Sequence, residues 1–342
     1  MLTVSGEPPD PLGVTVVLPV FFREADAERI RLLRAALESV HVQRFPGPYE
    51  ILLVDDGSPR PVAELAPELG SGTKAVRFVR LPHNGGVARA LNRGLAEARY
   101  RFIARLDADD RWLEGKIEKQ LALFAADPDL TLAGTGMMLV TPADEPIEPH
   151  VRPGAWDWAL DFLVNGGSPF PHGSVLARRD VYRLLGGYPL DAAVRHSEDY
   201  ALWADWVRFF KPSMVEEVLY RYTVSPTSVS VAHREEQIRG TQLTQKRLQG
   251  LVPARVPEAL GELAAAIGCT LFEAGTLAFK MWRFGAIVRL PTSAVAPLAA
   301  IMPDREVRVP ESAESAREAA AVLANPGIAI PGDARPLQAI AR

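Results

Sequence analysis

The feature that most constrains the fold is an alternation of short apolar runs and amphipathic segments over the first 110 residues. Residues 14–18 form a β-branched run that stops at Pro19, and residues 49–54 form a second apolar run. Such runs are typical of strands that are buried on both faces. Between them, apolar residues recur at intervals of three or four, which is the spacing of one helix face. They are Ile30, Leu33, Leu37 and Val40.

The alternation continues along the chain. The pattern predicts strands over residues 75–81 and 100–106, with a helix over residues 87–99 between them. The inward face of that helix is Val87, Leu91, Leu95 and Ala98. Repeated βαβ units favour an α/β sandwich of the Rossmann type with a mostly parallel central sheet. In open sheets of this kind, ligands bind beyond the carboxyl ends of the strands.

Acidic runs follow two of the predicted strands. Asp55-Asp56-Gly57-Ser58 follows the second strand, and Asp107-Ala108-Asp109-Asp110 follows the fourth. Carboxylates separated by one residue suit Mg²⁺ or Mn²⁺, which accept one or two protein oxygens and leave positions for substrate phosphates. Two alternatives stay open: one acid of the first run only organises the turn, and Asp109 or Asp110 caps a helix over residues 112–126.

Two further features indicate a nucleotide. Asp56 can accept a hydrogen bond from a nucleobase N–H, and Phe21, just after the first strand, can pack against the base. Asn84-Gly85-Gly86 precedes a predicted helix, where backbone N–H groups and the helix dipole favour an anion such as phosphate. The same three residues also suit an ordinary turn and helix start.

Downstream, Ser197-Glu198-Asp199-Tyr200 opens a predicted helix. Its buried face is Leu202, Trp203, Trp206 and Phe209. Acids at a helix start either stabilise the helix dipole or, in a cleft, serve as a general base for an acceptor hydroxyl. His172-Gly173-Ser174 lies outside any Gly-x-Ser-x-Gly elbow, which argues against a hydrolase. His233 is either a third metal ligand or a surface histidine.

In chain order, residues 14–21, 54–58, 84–94 and 106–110 resemble the family 2 glycosyltransferases of the GT-A fold. His172-Gly173-Ser174 and Glu198-Asp199 continue the resemblance, which covers about residues 14 to 225. Phe21-Phe22 replaces the aromatic-Asn pair that is usual after the first strand, and the Gln-x-x-Arg-Trp signature of processive synthases is absent. The set of motifs is specific as an ordered group, whereas each motif alone is not.

The resemblance implies a role for each matching residue. The nucleotide-sugar-binding residues would be Pro19, Phe21, Glu24, Asp56, Gly86, Arg89, Asp107, Ala108 and Asp109. The metal ligands would be Asp109 and His233, and the catalytic residues Asp199, as base, and Glu198. The reaction would be metal-dependent transfer of one sugar, with inversion, from a nucleoside-diphosphate sugar, most commonly UDP-linked, to an acceptor hydroxyl in cell-surface polysaccharide or glycoconjugate synthesis. The cofactor would be Mn²⁺ or Mg²⁺.

Other functions stay open. The chain could be an inactive nucleotide-sugar-binding or scaffolding protein, because fold alone does not fix function. A nucleotidyltransferase is a weaker alternative, since it generally needs a basic Gly-rich loop for a triphosphate, and this sequence has none.

Composition limits partners and location. A net charge of −4 gives no overall bias toward nucleic acid. One cysteine, Cys269, cannot form an intrachain disulfide, and residues 1–13 lack the features of a signal peptide. No stretch is a convincing membrane span. We therefore expect a cytoplasmic protein, with peripheral contact at the inner membrane face left open, that binds a saccharide or lipid-linked acceptor.

The predicted organisation has three parts. Residues 1–13 are a flexible N-terminus, and residues 14–250 are the catalytic domain, with a nucleotide-binding half over about 14–110 and an acceptor-binding half over about 111–250. Residues 251–342 are a mostly helical extension of unknown role, with helices indicated over 257–284 and 311–324. This extension could pair subunits into a homo-oligomer or touch a lipid-linked acceptor.

Overall fold

The computed structural model describes residues 12–73, 75–127, 130–225 and 233–249, together with two strands over 276–281 and 286–291. A sheet of nine strands runs through these residues. The strands are β1 Val14–Val20, β2 Tyr49–Asp55, β3 Val76–Arg80, β4 Phe102–Arg105, β5 Arg111–Trp112, β6 Leu130–Val140, β7 Pro146–His150, β8 Leu176–Arg178 and β9 Lys211–Thr223. Their order is β3-β2-β1-β4-β8-β6-β9-β5, and β7 pairs with β6 beside this path.

Helices connect the strands. They are α1 Ala27–His41, α2 Ala66–Leu69, α3 Val87–Glu97, α4 Lys116–Ala126, α5 Trp156–Asn165, α6 Arg179–Leu184, α7 Glu198–Phe209 and α8 Arg234–Gln249. Short 3₁₀ turns lie at Val62–Leu65, Gly70–Thr73, His172–Ser174 and Ala192–Val194. Among the described residues, no helix combines the length and apolar character that a membrane crossing requires.

The first four strands are parallel, as the βαβ pattern predicts. In their register, Val20 lies beside Asp55, and Val17 lies beside Arg105. The carboxyl ends of β1, β2 and β4 therefore meet at one edge of the sheet. Beyond β4, β8 is antiparallel, and β6 and β9 are parallel to each other. The α/β fold is confirmed, and its sheet is mixed: four strand pairings are parallel and four are antiparallel.

The period-two alternation of β1 divides its side chains between two cores. Val16 and Leu18 belong to the core under α1, whereas Val17 belongs to the core under α3. Because both faces are covered, the whole strand is buried, which explains why its sequence is continuously apolar. Gly94 of α3 approaches β1 so closely that a Cβ there would lie 2.4 Å from Val17 Cγ1.

The predicted helix faces are largely those observed. Those found buried are Ile30, Leu33, Leu37, Val40, Leu91, Leu95, Ala98, Leu202, Trp203 and Trp206. Val87 is half-buried. The α1 helix begins where Asp26 accepts a hydrogen bond from the Arg29 N–H at 2.8 Å, which satisfies a free donor of the first turn.

Two predicted helices need correction. The helix expected from residue 112 begins at Lys116, because Arg111 and Trp112 pair with Arg221 and Tyr220 of β9. In the extension, where the sequence indicates helix over 257–284, Thr276–Met281 is a strand that pairs with the strand Ala286–Pro291. Apolar residues at every second position, including Leu277 and Phe279, account for this ribbon. The predicted helix over 311–324 lies outside the described residues.

Candidate active site

The two acids after β2 are both buried and serve the turn. Asp55 Oδ1 accepts a hydrogen bond from the Ser58 N–H at 2.8 Å, and Asp55 Oδ2 accepts one from the Val62 N–H at 3.1 Å. Arg80, at the end of β3, forms an ion pair with the same carboxylate. Asp55 therefore organises the loop, which is the turn alternative that the sequence left open for one of the two acids.

Asp56 fastens a second loop. Its Oδ1 accepts a hydrogen bond from the Gly85 N–H at 2.9 Å, and its Oδ2 accepts one from the Gly86 N–H at 2.8 Å. Burial raises the pKa of Asp56, and these two N–H groups act against that rise. In this structure both N–H groups bond to Asp56, which fits the turn alternative, and nucleotide-sugar binding by Gly86 stays a prediction. Arg89, in the first turn of α3, is exposed.

An aromatic ring lies exposed at the carboxyl edge of the parallel strands. Phe21 follows β1 and is 39% exposed, whereas the next residue, Phe22, is buried and donates its N–H to Ser58 Oγ at 3.0 Å. Pro19 is buried within β1, and Glu24 is exposed beyond it. The exposed ring of Phe21 and the buried carboxylate of Asp56 thus flank the ends of neighbouring parallel strands.

Within the run after β4, Asp110 has a structural role. It is 1% exposed, accepts a hydrogen bond from the Thr223 N–H at 2.7 Å, and contacts the Tyr220 hydroxyl. Burial and the adjacent Asp109 carboxylate raise the pKa of Asp110 to about 8. Asp110 therefore joins the loop to β9. The capping alternative is wrong for Asp109 and Asp110, because the α4 cap is Gly115.

The other two acids of the run, Asp107 and Asp109, interact with the charge of Arg105. Asp107 is half-buried and forms an ion pair with Arg105, the last residue of β4. Asp109 is also half-buried, and its backbone carbonyl accepts a hydrogen bond from the Thr223 hydroxyl. Burial raises the pKa of Asp109, and the Arg105 guanidinium lowers it. Ala108 lies half-buried between them.

Arg105 is the site residue that the sequence prediction missed. It is 4% exposed, and its Nε has no hydrogen-bond partner among the described residues. Its charge lowers the pKa of Asp109, Asp110, Glu198 and Asp199. Asp107 pairs with this buried guanidinium, and its charge also acts on Asp109, Asp110 and the two acids that open α7. The available signal was a charge inside the apolar strand, between Ala104 and Leu106.

Glu198 and Asp199 form the first turn of α7. Burial and the neighbouring Asp199 raise the pKa of Glu198 to about 7. Asp199 Oδ1 accepts a hydrogen bond from the Tyr200 N–H at 2.8 Å, and its side chain keeps 26% exposure. Burial also raises the pKa of Asp199. A carboxylate that holds a proton more readily and still reaches solvent is suited to general base chemistry.

A histidine supports this pair. His172 Nδ1 lies 3.9 Å from Asp199 Oδ2, and His172 Nε2 lies 2.8 Å from the Tyr188 hydroxyl. Burial, with the Arg105 charge, lowers the pKa of His172 well below its usual range, so its imidazole is neutral at pH 7. The ring is hydrogen-bonded to Tyr188 and lies beside Asp199 without adding a charge there.

His233 lies in a different group. It precedes α8, and its Nδ1 is 3.6 Å from Glu236 Oε2. His196, in the turn before α7, joins them, and one ligand atom from each of the three lies within 4.8 Å of the other two. Asp109 does not belong to this group, so the prediction that His233 and Asp109 share a metal stays a prediction.

Acids gathered at the carboxyl edge of the parallel strands of an α/β sheet are typical of nucleotide-binding proteins, and comparison with known proteins gives the family. The protein-family model described as "Glycosyl transferase family 2" matches residues 15–146. EpsE of Bacillus subtilis, which is named as a glycosyltransferase, is 30% identical over 203 residues, covering 56% of this chain and 68% of EpsE. The chain belongs to the family 2 glycosyltransferases, and its fold is of the GT-A type, as the sequence predicts.

Two further similarities are more limited. The amylovoran biosynthesis glycosyltransferase AmsE of Erwinia amylovora is 30% identical over 180 residues, covering 52% of this chain and 64% of AmsE. The chain therefore spans slightly less than two thirds of that relative. The mannosyltransferase PcManGT of Pyrobaculum calidifontis, solved with GDP-Man and Mn²⁺, is 18% identical with a TM-score of 0.48, over 77% of this chain and 76% of that protein.

Proposed function

We propose that this protein transfers one sugar, with inversion, from a nucleoside-diphosphate sugar to an acceptor hydroxyl, and that a divalent cation assists the transfer. The observation that carries the proposal is the placement of two acidic pairs around Arg105. Asp107 and Asp109 follow β4, and Glu198 and Asp199 begin α7. Displacement at a sugar carbon needs negative charge to be neutralised on the leaving side and a proton to be accepted on the other.

The oxygen ligands after β4 fit a hard cation. Asp107 and Asp109 are both half-buried and sit at the end of a rigid strand, so their carboxylates are held without being sealed from substrate. Two carboxylates with room for phosphate oxygens are the usual surroundings of Mg²⁺ or Mn²⁺. When bound, the cation would neutralise charge on the diphosphate leaving group.

The nucleotide would lie across β1 and β2. The exposed ring of Phe21 is available to stack on a base, and Asp56 supports the loop beneath it. Pro19 is buried near the end of β1. Glu24, after β1, and Arg89, in α3, are exposed. Each carboxylate oxygen of Asp56 accepts one N–H and retains a lone pair for a base N–H. We propose that the base is uracil, as in a UDP-linked donor.

Asp199 would accept the proton of the acceptor hydroxyl. It is more exposed than Glu198, and the neutral ring of His172 lies 3.9 Å from its carboxylate. Glu198 is buried beside it, and burial itself raises the pKa of Asp199, which strengthens Asp199 as a base.

We place the reaction in polysaccharide or glycoconjugate synthesis, supported by the amylovoran pathway that the name of AmsE states for that relative. The acceptor would be a saccharide or a lipid-linked saccharide. Residues beyond 250 are our proposed region for subunit pairing or for peripheral contact with a lipid-linked acceptor.

The test is donor binding followed by product release. Titration calorimetry with a panel of nucleoside-diphosphate sugars, in Mn²⁺ and in EDTA, should identify a donor whose binding needs the metal. Asp109→Ala should weaken that binding by more than about 100-fold, since even outer ligands of metal sites contribute about 10- to 100-fold. Asp157→Ala, an exposed acid in the first turn of α5, is the control. Donor binding without release of nucleoside diphosphate, with any saccharide acceptor, would favour a binding protein instead.

A further inference from the structure

Three side chains from two separate segments meet beside α7. His196 lies in the turn before α7, His233 directly precedes α8, and Glu236 lies in the first turn of α8. Across the described ranges, this is the one group of at least three His, Cys, Asp or Glu side chains with ligand atoms close enough to share an ion. We propose that His196, His233 and Glu236 form a cation site for Zn²⁺, separate from the acids after β4.

The distances match the coordination of zinc. Glu236 Oε2 lies 3.3 Å from His196 Nε2 and 3.6 Å from His233 Nδ1. In a tetrahedral zinc site with bonds of about 2.0–2.1 Å, ligand atoms stand about 3.3–3.4 Å apart. The carboxylate oxygen is therefore already at coordinating distance from both imidazoles.

The two imidazole rings must turn to receive the metal. They are stacked, with centroids 4.0 Å apart and planes within 9° of parallel. A metal lies in the plane of each imidazole that binds it, so one ring has to rotate out of the stack. His233 has 43% of its side chain exposed, which leaves room for that rotation. The rotation supplies a structural signature of binding.

The ligand types separate this site from the donor site. Imidazole nitrogens suit Zn²⁺ and its neighbours in the first transition row, whereas carboxylates alone suit Mg²⁺ and Mn²⁺. Asp107 and Asp109 offer only oxygen, whereas the group at His196 offers two nitrogens and one oxygen. Three protein ligands also leave a fourth position on zinc for water.

The backbone around His196 indicates that its position is specified by the fold. His196 has φ of +66°, a left-handed conformation that is uncommon outside glycine. Such conformations persist where the surroundings hold them, often at functional sites. Gly240 of α8 packs against the neighbouring Ser197, where a Cβ would lie 2.2 Å from Ser197 Oγ. A bound ion would therefore join the start of α8 to the turn that leads into Glu198.

The experiment uses the full chain, stripped with EDTA and dialysed, and titrated with ZnCl₂ by calorimetry. Wild type and Asp109→Ala should both bind zinc at this site, because Asp109 takes no part in it. His233→Ala and Glu236→Gln should weaken zinc binding by at least about tenfold. His150→Ala is the matched control, since His150 lies 3.7 Å from Glu148 and belongs to no such group of three in the described chain. CoCl₂ should give the strong visible absorption of a four-coordinate ion in those proteins that bind zinc at this site.

Several results would overturn the proposal. They are no zinc binding by the wild type, binding that is unchanged in both His233→Ala and Glu236→Gln, or binding that disappears in Asp109→Ala. The last result would move His233 into the donor site. Glu236→Gln keeps the size of a half-exposed helix residue, and far-UV circular dichroism checks its fold. A zinc-dependent rise in Tm that is present in Asp109→Ala and lost in Glu236→Gln would support the site whether or not the protein transfers sugar.

Discussion

Two pairs of adjacent acids border the proposed active site, and they differ in what holds their carboxylates. After β2, Asp55 and Asp56 each accept two backbone N–H groups, and Asp55 also pairs with Arg80. At the start of α7, the hydrogen bond to the Asp199 side chain comes from Tyr200, and Glu198 is buried with its pKa raised to about 7. The first pair fastens two loops, and we propose that the second pair exchanges protons with the acceptor.

The run after β4 repeats this division within four residues. The Asp110 carboxylate accepts hydrogen bonds from Thr223 and Tyr220 of β9. Asp107 and Asp109 are half-buried near Arg105. Identical side chains thus have different partners, and we propose that the two acids beside Arg105 hold the cation while Asp110 joins the loop to β9.

The largest expected effect is on the α7 pair. Asp199→Asn should lower kcat by about 10²- to 10⁴-fold, the range for losing a general base, while donor affinity stays within about twofold. Steady-state transfer assays and donor calorimetry measure the two effects. Asp205→Asn is the control, because Asp205 lies on the same helix and pairs with Arg247. Transfer at the native rate by Asp199→Asn would remove Asp199 as the base.

The β2 pair should respond in stability. Asp55→Ala leaves the buried N–H groups of Ser58 and Val62 without an acceptor, at about 1–3 kcal/mol each in the free energy of unfolding. Asp55→Asn keeps one carbonyl oxygen and should lose less. Urea unfolding measures both variants. If Asp55→Ala were as stable as the wild type, the scaffold role of this pair would be wrong.

Much of the fold follows from sequence periodicity. The continuous apolar character of β1 predicts a strand covered on both faces, and the three- and four-residue spacing from Ile30 to Val40 predicts the buried face of α1. The start of α4 could not be predicted, because Trp112 is drawn into a long-range pairing with Tyr220 of β9. Local propensity carries no information on such a partner.

The site was predictable at the level of clusters and less so at the level of single residues. The acidic runs at strand ends were apparent, but the N–H groups of Gly85 and Gly86 are taken by Asp56, which is distant in sequence. Arg105 was missed because one charge within an apolar strand has no periodic signature. The partner of a buried charge is set by tertiary contacts, which a single sequence does not record.

A smaller effect concerns the pH dependence of stability. The pKa of Glu198 is about 7 in the folded chain, above its ordinary value of 4.5. A carboxyl that binds its proton more tightly when folded stabilises the fold below about pH 4.5, and this contribution is lost as the pH rises through 7. The loss should be on the order of 1–3 kcal/mol.

Glu198→Gln removes this carboxyl, whereas Asp110, whose raised pKa has causes that do not include Glu198, is present in both proteins. The unfolding free energy of the wild type relative to Glu198→Gln, from urea unfolding between pH 4.5 and 8, should fall across this window. A difference that stays constant with pH would show that Glu198 is not held in its protonated form, and the contrast between the two acidic pairs would weaken.

The smallest expected effect concerns the charge of Arg105, which acts on the acidic pair of α7. Its guanidinium lowers the pKa of Glu198 and Asp199, so Arg105→Met should raise both and move the acidic limb of the pH–rate profile to higher pH. At pH 8 the rate should fall by less than about tenfold, because the base is then largely ionised in either protein. Arg105→Lys keeps the positive charge and should return the acidic limb to its wild-type pH. A purely structural role of Arg105 would not require this return. Arg101→Met is the control, since Arg101 lies by Arg178 and Asp180. An acidic limb that stays in place in Arg105→Met would mean that the α7 pair is governed by burial alone.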